Sequence, residues 1–431
     1  MSSSDDELEV IIERCAGLDV HKDLVVACVR VPRADGGVAK AFAEFGTFTE
    51  DLLGLRDWLV AYGVTRVGME ATGVYWKPIF YALEDSLDPW LLNARHMHNV
   101  PGRKTDMADA DWICRLVRFG LVRASFVPPK PIRELRNLTR YRRTRIEERT
   151  RETQRLDKVL QDAGIKLSSV ASDILGKSGR DMLDALVAGS HDPEVLAELA
   201  RGRLRSKIGL LQSALAGRFG PNHALVVGEI LAHLDYIDES LGRIQAGIDE
   251  LIAPFADARD RLMTAPGIDK ITAEAVIAEV GVDMSVFPTA GHLASWAGIC
   301  PGQHESAGKS KHGTARHGNT WLQRSLTVAA MAAARSKGTY LAAQYARLAG
   351  RRGTRRARKA VAHSILIGVW HILADSDTTW NELGADYFER RKDPQRIVRR
   401  KIAELESLGF TATQSTNGTI TLAPPPPAVA A

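Results

Sequence analysis

The chain predicts an α/β domain at the front, a helical middle and a mainly α-helical back. Three observations carry this. Short β-branched runs alternate with helical spacings up to Pro128. A charged stretch without Gly or Pro runs from Ile132 to Leu160, and helical segments recur from Ile271 to Ala374. The 431 residues suit two or three domains, and 45% hydrophobic with 25% charged residues exclude whole-chain disorder and a fibrous repeat.

Ala16 to Val20 and Leu24 to Val31 are apolar runs around the polar turn His21-Lys22-Asp23, which predicts a hairpin. Ala39 to Phe48 is a third strand after the Asp35-Gly36-Gly37 turn. Thr49 opens a helix to about Tyr62, Arg66 to Met69 is a short strand, and Tyr75 to Asp85 is helical. Trp90 to Asn93 and Asp106 to Arg118 add another strand and helix. Three strands followed by alternating helices and strands is the order a ribonuclease-H-like sheet requires. Pro128-Pro129-Lys130-Pro131 ends the domain, because stacked prolines continue neither a helix nor a central strand.

The Ile132 to Leu160 pattern and a second one from Leu225 to Ile252 predict an antiparallel coiled-coil arm, able to pair with another protomer or follow a duplex. The alternative is a helical spacer with a solvated face. Around Pro266-Gly267-Ile268 the pattern is helix, turn, helix, a helix-hairpin-helix whose turn amides can face a phosphate. The segments are 11–128, 132–255, 256–376 and a partly flexible extension, 377–431, ending in Pro424 to Pro427.

The net charge of +5 is unevenly spread. Met1 to Pro128 holds 14 Lys/Arg against 19 Asp/Glu, and Ala256 to Ser376 holds 16 against 8. Arg351, Arg352, Arg355, Arg356, Arg358 and Lys359 crowd into nine residues, a density that suits a phosphate backbone. Cys15, Cys28, Cys114 and Cys300 form no CxxC pair, which predicts a reduced, cytoplasmic chain. No targeting or transmembrane segment is visible, so no membrane partner is expected.

Asp19 ends an apolar strand, where a carboxylate needs a partner or a metal. Glu70 ends a second strand in the same way, and Asp106 and Asp109 share one helix face. Four converging carboxylates repel unless a divalent cation neutralises them, and Mg²⁺ prefers such oxygen ligands. The chemistry favoured is phosphodiester cleavage. Asp111 points away from Asp109, and Asp23 fits a turn. In the back, Gly302 to Gly313 is a small polar loop in which Lys309 and Lys311 flank serines and can stabilise a phosphate. His304, His312 and His317 have no metal spacing.

Gly17-Leu18-Asp19-Val20-His21-Lys22, Met69-Glu70-Ala71-Thr72-Gly73 and Lys104-Thr105-Asp106-Met107-Ala108-Asp109-Ala110 resemble the front motifs of the DEDD transposases of bacterial insertion sequences. Pro266-Gly267-Ile268, Ala297-Gly298-Ile299-Cys300-Pro301, Ser306-Ala307-Gly308-Lys309 and Gly318-Asn319 with Leu322, Arg324 and Leu326 resemble that family's back domain. The resemblance runs in order from about residue 16 to 375, and pilin-gene DNA invertases share the architecture. It implies a RuvC-like domain with Asp19, Glu70, Asp106 and Asp109 as its acids, using Mg²⁺ or Mn²⁺. It further implies a coiled coil and a transposase domain whose nucleophile is Ser306. Ala307 stands where a glycine is common, and Ser310 lies close enough to compete. The implied partners are double-stranded DNA, a structured non-coding RNA called the bridge RNA, and further copies of the chain in a dimer or tetramer, all in a bacterial cytoplasm at the nucleoid.

Two rivals belong to other classes. A RuvC-like nuclease using water needs neither Ser306 nor the basic back, and a non-catalytic nucleic-acid-binding protein leaves the four acids without a purpose. A sugar-kinase-like ATPase lacks a GxxxxGK[ST] loop.

Overall fold

The computed structural model describes residues 9–70, 73–93, 106–300, 304–306, 309–311, 317–391, 393–408, 410–414 and 420–423, with only the backbone described at 304–306, 309–311, 394, 396, 412, 414 and 420. It forms two compact units that divide between Val127 and Pro128. No helix among the described residues is long and apolar enough to cross a membrane.

The first unit is a five-stranded mixed sheet. Its strands are β1 (Cys15–Val20), β2 (Leu24–Pro32), β3 (Val38–Gly46), β4 (Arg66–Glu70) and β5 (Asp88–Leu92), in the order β3-β2-β1-β4-β5. β2 runs antiparallel to β1 and β3, while β1, β4 and β5 are parallel. Helices cover both faces, so β1 is buried along its whole length and reads as a continuous apolar run. Helices α1 (Thr49–Ala61) and α2 (Trp76–Leu83) pack on one face, where Leu55, Leu59, Ile79 and Leu83 meet Ala16, Leu18, Val25 and Val67. Helix α3 (Asp106–Arg118) covers the other face, with Ala110, Ile113, Cys114 and Val117 against Cys15, Val26, Cys28 and Leu92. The edge strand β3 alternates exposed and half-buried residues, as a strand with one wet face does.

The second unit begins with α4 (Lys130–Asp162) and includes α9 (Pro221–Ile252), one residue shorter. Their polar pairs run in opposite directions along the chain: Arg142 with Gln245, Arg149 with Asp238 and His223 with Asp162. The helices are therefore antiparallel. Between them, α5 (Leu167–Val170), α6 (Lys177–Val187), α7 (Pro193–Glu198) and α8 (Ile208–Leu215) close a head. Its core joins Leu156, Leu160, Met182, Leu183, Leu211 and Leu234.

The rest of the unit holds α10 (Ala256–Leu262), α11 (Lys270–Val280), α12 (Ala290–Trp296), α13 (Thr320–Ala333), α14 (Tyr340–Arg352) and α15 (Thr354–Ala374). A hairpin of β6 (His304–Ser306) and β7 (Lys309–Lys311) occupies the polar stretch expected to be a loop. The Pro266-Gly267-Ile268 turn does join two helices, but it packs inward. A Cβ on Gly267 would lie 2.2 Å from the Ala329 carbonyl oxygen of α13, and Ala265 and Ile268 are buried. The turn is thus held against α13 on its Gly267 side, while Pro266 and Gly267 themselves stay half-buried.

Within the 377–431 extension lie α16 (Tyr387–Arg390), α17 (Pro394–Ser407) and a hairpin of β8 (Thr411–Gln414) and β9 (Ile420–Ala423). Asp393 caps α17, with Pro394 in its first turn. Pro424 to Pro427 lie outside the described residues.

Candidate active site

Alternation along β1 puts Cys15, Gly17 and Asp19 on the face that α3 covers. A Cβ on Gly17 would lie 2.2 Å from both the Ala110 carbonyl oxygen and the Cys114 amide nitrogen. On β4, a Cβ at Gly68 would meet Val117 at 2.5 Å, and Gly17 pairs with Gly68 in the parallel register. Two facing glycines let α3 lie close on the sheet. Asp19 and Glu70, each two residues beyond its glycine, therefore share the α3 face at the ends of adjacent strands.

At that end the first turn of α3 carries Asp106 and Asp109. Donor atoms of Asp19, His21 and Asp106 all lie within 4.8 Å of one another. His21 Nε2 is 3.1 Å from Asp19 Oδ2 and 3.7 Å from Asp106 Oδ2. Burial pushes the Asp19 carboxyl above its ordinary range; the nearby His21 opposes this, and Asp109 and Asp106 reinforce it. Glu70 and Asp109 lie outside the tight group. His21, which the sequence pattern places in the turn after β1, joins the two acids here, and the Asp-x-His spacing of residues 19 to 21 is its signal.

Asp111 points away from this cluster, as its helical angle predicts. It accepts from Arg30 Nε at 2.9 Å and Lys40 Nζ at 3.0 Å, and ties α3 to β2 and β3. A carboxylate lifted chiefly by burial, and further by the like charges of Asp109 and Asp106, suits a divalent cation, which would stabilise its ionised form. Among the motif residues, Ala71, Thr72, Lys104 and Thr105 lie outside the described residues.

In the second unit, Ser306 pairs with Lys309 across the β6–β7 hairpin, and Glu305 pairs with Ser310. The side chains of Ser306, Lys309, Ser310 and Lys311 lie outside the described residues. The chain on either side of this segment is held together. A Cβ on Gly318 would lie 2.4 Å from the Ala297 carbonyl group, and Gln323 Nε2 donates to the Ala297 carbonyl at 2.7 Å. Next to Gly318, Asn319 caps α13 through its side-chain oxygen and donates its amide to Glu279 at 2.5 Å.

The basic run straddles Gly353, which has φ +80° between α14 and α15. Arg351, Arg352, Arg355 and Arg356 are exposed, and Arg358 is half-buried against Met331. Lys359 differs from them. Its Nζ donates to Gln323 Oε1 at 3.1 Å, joining α15 to α13, and burial lowers its pKa.

A family model described as a transposase matches residues 16–165, and one described as the transposase IS116/IS110/IS902 family matches residues 259–346. An insertion element IS110 uncharacterized 43.6 kDa protein of Streptomyces coelicolor is 35% identical over 112 residues. That match covers 25% of this chain and 26% of the relative's own length. The first model takes in Asp19, Glu70, Asp106 and Asp109, and the second takes in Ser306 and Asn319. With the acidic centre inside one match and the hairpin segment inside the other, the chain belongs to the DEDD transposases of the IS110 family.

Proposed function

We propose that the chain cuts and rejoins double-stranded DNA as the recombinase of a bacterial insertion sequence, with Asp19, Glu70, Asp106 and Asp109 as its acids and Ser306 as its nucleophile. The observation that carries this reading is the convergence of Asp19, at the end of β1, with Asp106 in the first turn of α3. The strand order β3-β2-β1-β4-β5, with β2 antiparallel, supports a ribonuclease-H/RuvC-like domain around them. The segments 132–255 and 256–376 then act as a coiled-coil arm and a transposase domain. The arm presents the serine of one copy to the acids of another in a dimer or tetramer. The bridge RNA pairs with donor and target DNA.

The four acids would hold Mg²⁺ or Mn²⁺, which when bound neutralises charge on the scissile phosphate. The Ser306 hydroxyl attacks phosphorus, a phosphoserine bond forms, and the bridging sugar oxygen leaves and takes up a proton. The new ester retains the energy of the broken one, so a second sugar hydroxyl can reverse the step without ATP. Lys309 and Lys311 offset the charge that gathers on the phosphoryl oxygens.

Trapping tests this reading. Denaturing gels of a reaction with labelled DNA and Mg²⁺ should show a DNA-linked chain whose link maps to Ser306. Ser306→Ala should remove it and Ser310→Ala should not. Free ends with no adduct at any metal concentration would replace the recombinase with a nuclease that uses water.

A further inference from the structure

Between the end of α13, the face of α14 and the start of α15 lies a cavity of about 320 Å³ lined by Met331, Ala334, Arg335, Tyr345, Thr354 and Arg358. It is at the small end of ligand sites, about 300 to 1,000 Å³, which suits one nucleotide. Its chemistry is divided. Tyr345 supplies a half-buried ring and Met331 a polarisable thioether, while Arg335 and Arg358 supply guanidinium groups. The Arg335 guanidinium and the Tyr345 hydroxyl have no hydrogen-bond partner among the described residues. Arg358 donates only to the Thr354 carbonyl at 3.4 Å and, weakly, to the Met331 sulfur at 3.8 Å.

The charge around the cavity has one sign. From Ser306 to Ala374 the sequence holds thirteen Lys/Arg and no Asp or Glu. An anionic group entering beside Arg335 and Arg358 meets no carboxylate from α13, α14 or α15, the elements that form the walls. A purely apolar ligand would leave two guanidinium groups partly desolvated and unpaired. A ring against which a base can stack, with guanidinium groups beside it, matches a base and its own phosphate.

The geometry points to this cavity as a pocket for one unpaired nucleotide of a nucleic-acid strand, its base on Tyr345 and Met331 and its phosphate on Arg335 and Arg358. A base inside a duplex has both faces stacked on neighbours and cannot offer one to Tyr345, so the pocket selects unpaired over paired strand. The inference rests on the basic turn at Gly353 facing nucleic acid, and it adds which strand form that region takes.

Binding of the full chain to one mixed-sequence oligonucleotide, followed by fluorescence polarisation, tests it in single-stranded DNA, single-stranded RNA and duplex DNA form. Tyr345→Leu should weaken binding of at least one single strand about tenfold, leaving duplex binding within about twofold, and Tyr345→Phe should restore it. Iodouracil placed along the preferred single strand should photocrosslink to Tyr345 or Met331. Equal loss for single strand and duplex, no loss for either single strand, or crosslinks only elsewhere would overturn the pocket. So would equally tight binding of a free mononucleotide, which would make the cavity a small-molecule site. Arg351→Gln with Arg352→Gln separates the two levels. If binding of every form is unchanged, the basic turn does not face nucleic acid at all. If all forms weaken while Tyr345→Leu does nothing, the pocket alone fails.

Discussion

Glu279 receives Arg140 on both carboxylate oxygens, Nε at 2.7 Å and Nη2 at 2.8 Å, and so joins α4 to α11 by a two-pronged ion pair. The same carboxylate takes the Asn319 amide, and through it the start of α13 beside the hairpin segment. Replacing Glu279 by Ala should cost about 3 kcal/mol, because buried polar groups then lose their acceptor. Asn319→Ala should cost about 1 kcal/mol, as a lost helix cap does. Denaturant unfolding of both variants and the double variant should show a loss smaller than the sum.

Cleavage should depend on Asp19 more than stability does. Asp19→Asn should abolish strand cutting and leave nucleic-acid binding within about twofold, since Asn keeps the size of the side chain and an oxygen for His21 while removing the charge. Removing the divalent cation with a chelator should have the same effect on the unmodified chain, reversed by added Mg²⁺. Cutting by the variant at the unmodified rate would remove Asp19 from the site.

Gly17 leaves no room for a side chain. Gly17→Ala sets a methyl group against the backbone of α3 at Ala110 and Cys114, so the helix must lift from the sheet. The expected loss is about 3 kcal/mol. Cleavage should fall as well, because Asp106 and Asp109 move with the helix. Ala at Gly54, which has open space around it, is the control and should be near neutral.

Asp111 gives the first unit an acid sensitivity. Burial raises its carboxyl, but Lys40 and Arg30 outweigh that and hold it below the usual 3.8. A carboxyl depressed in the folded state stabilises it fully above the unfolded value and loses that contribution as pH falls through the folded one. Stability measured from pH 5 downward should decline, and Asp111→Asn should flatten that slope while lowering stability at pH 7.

The exposed arginines of the basic turn should act alike on all sequences. Each of Arg351, Arg352, Arg355 and Arg356 that touches a phosphate should lower the slope of log affinity against log salt by about 0.9 when replaced by Gln. Unchanged affinity and slope for all four would mark the turn as a solvated surface.

Much of this architecture was legible because local pattern and final environment agree. The β-branched runs at 16–20, 24–31 and 66–69 became β1, β2 and β4, and the Gly- and Pro-free stretch from Ile132 became α4 to within two residues at each end. Asp19 stood out as a charge closing an apolar strand. His21 did not, because its nearness to Asp106 depends on contact across 85 positions that no local period encodes. The head between α4 and α9 is built of helices of 4 to 11 residues, too short to declare a period. Gly17 and Gly68 looked like ordinary strand glycines until the helix above them was in place. The convergence of Cys15 with Cys114, Sγ to Sγ 3.7 Å, is equally tertiary.

The acid-free stretch from Ser306 to Ala374 makes the back of the molecule a polyelectrolyte folded against its own repulsion. Its stability should therefore follow the ionic atmosphere: counterions that gather around thirteen cations, or a polyanion laid across them, relieve the same strain. For this region a strand is part of the solvent as well as a ligand, and the chain purified free of nucleic acid at low salt is expected to be its least stable form.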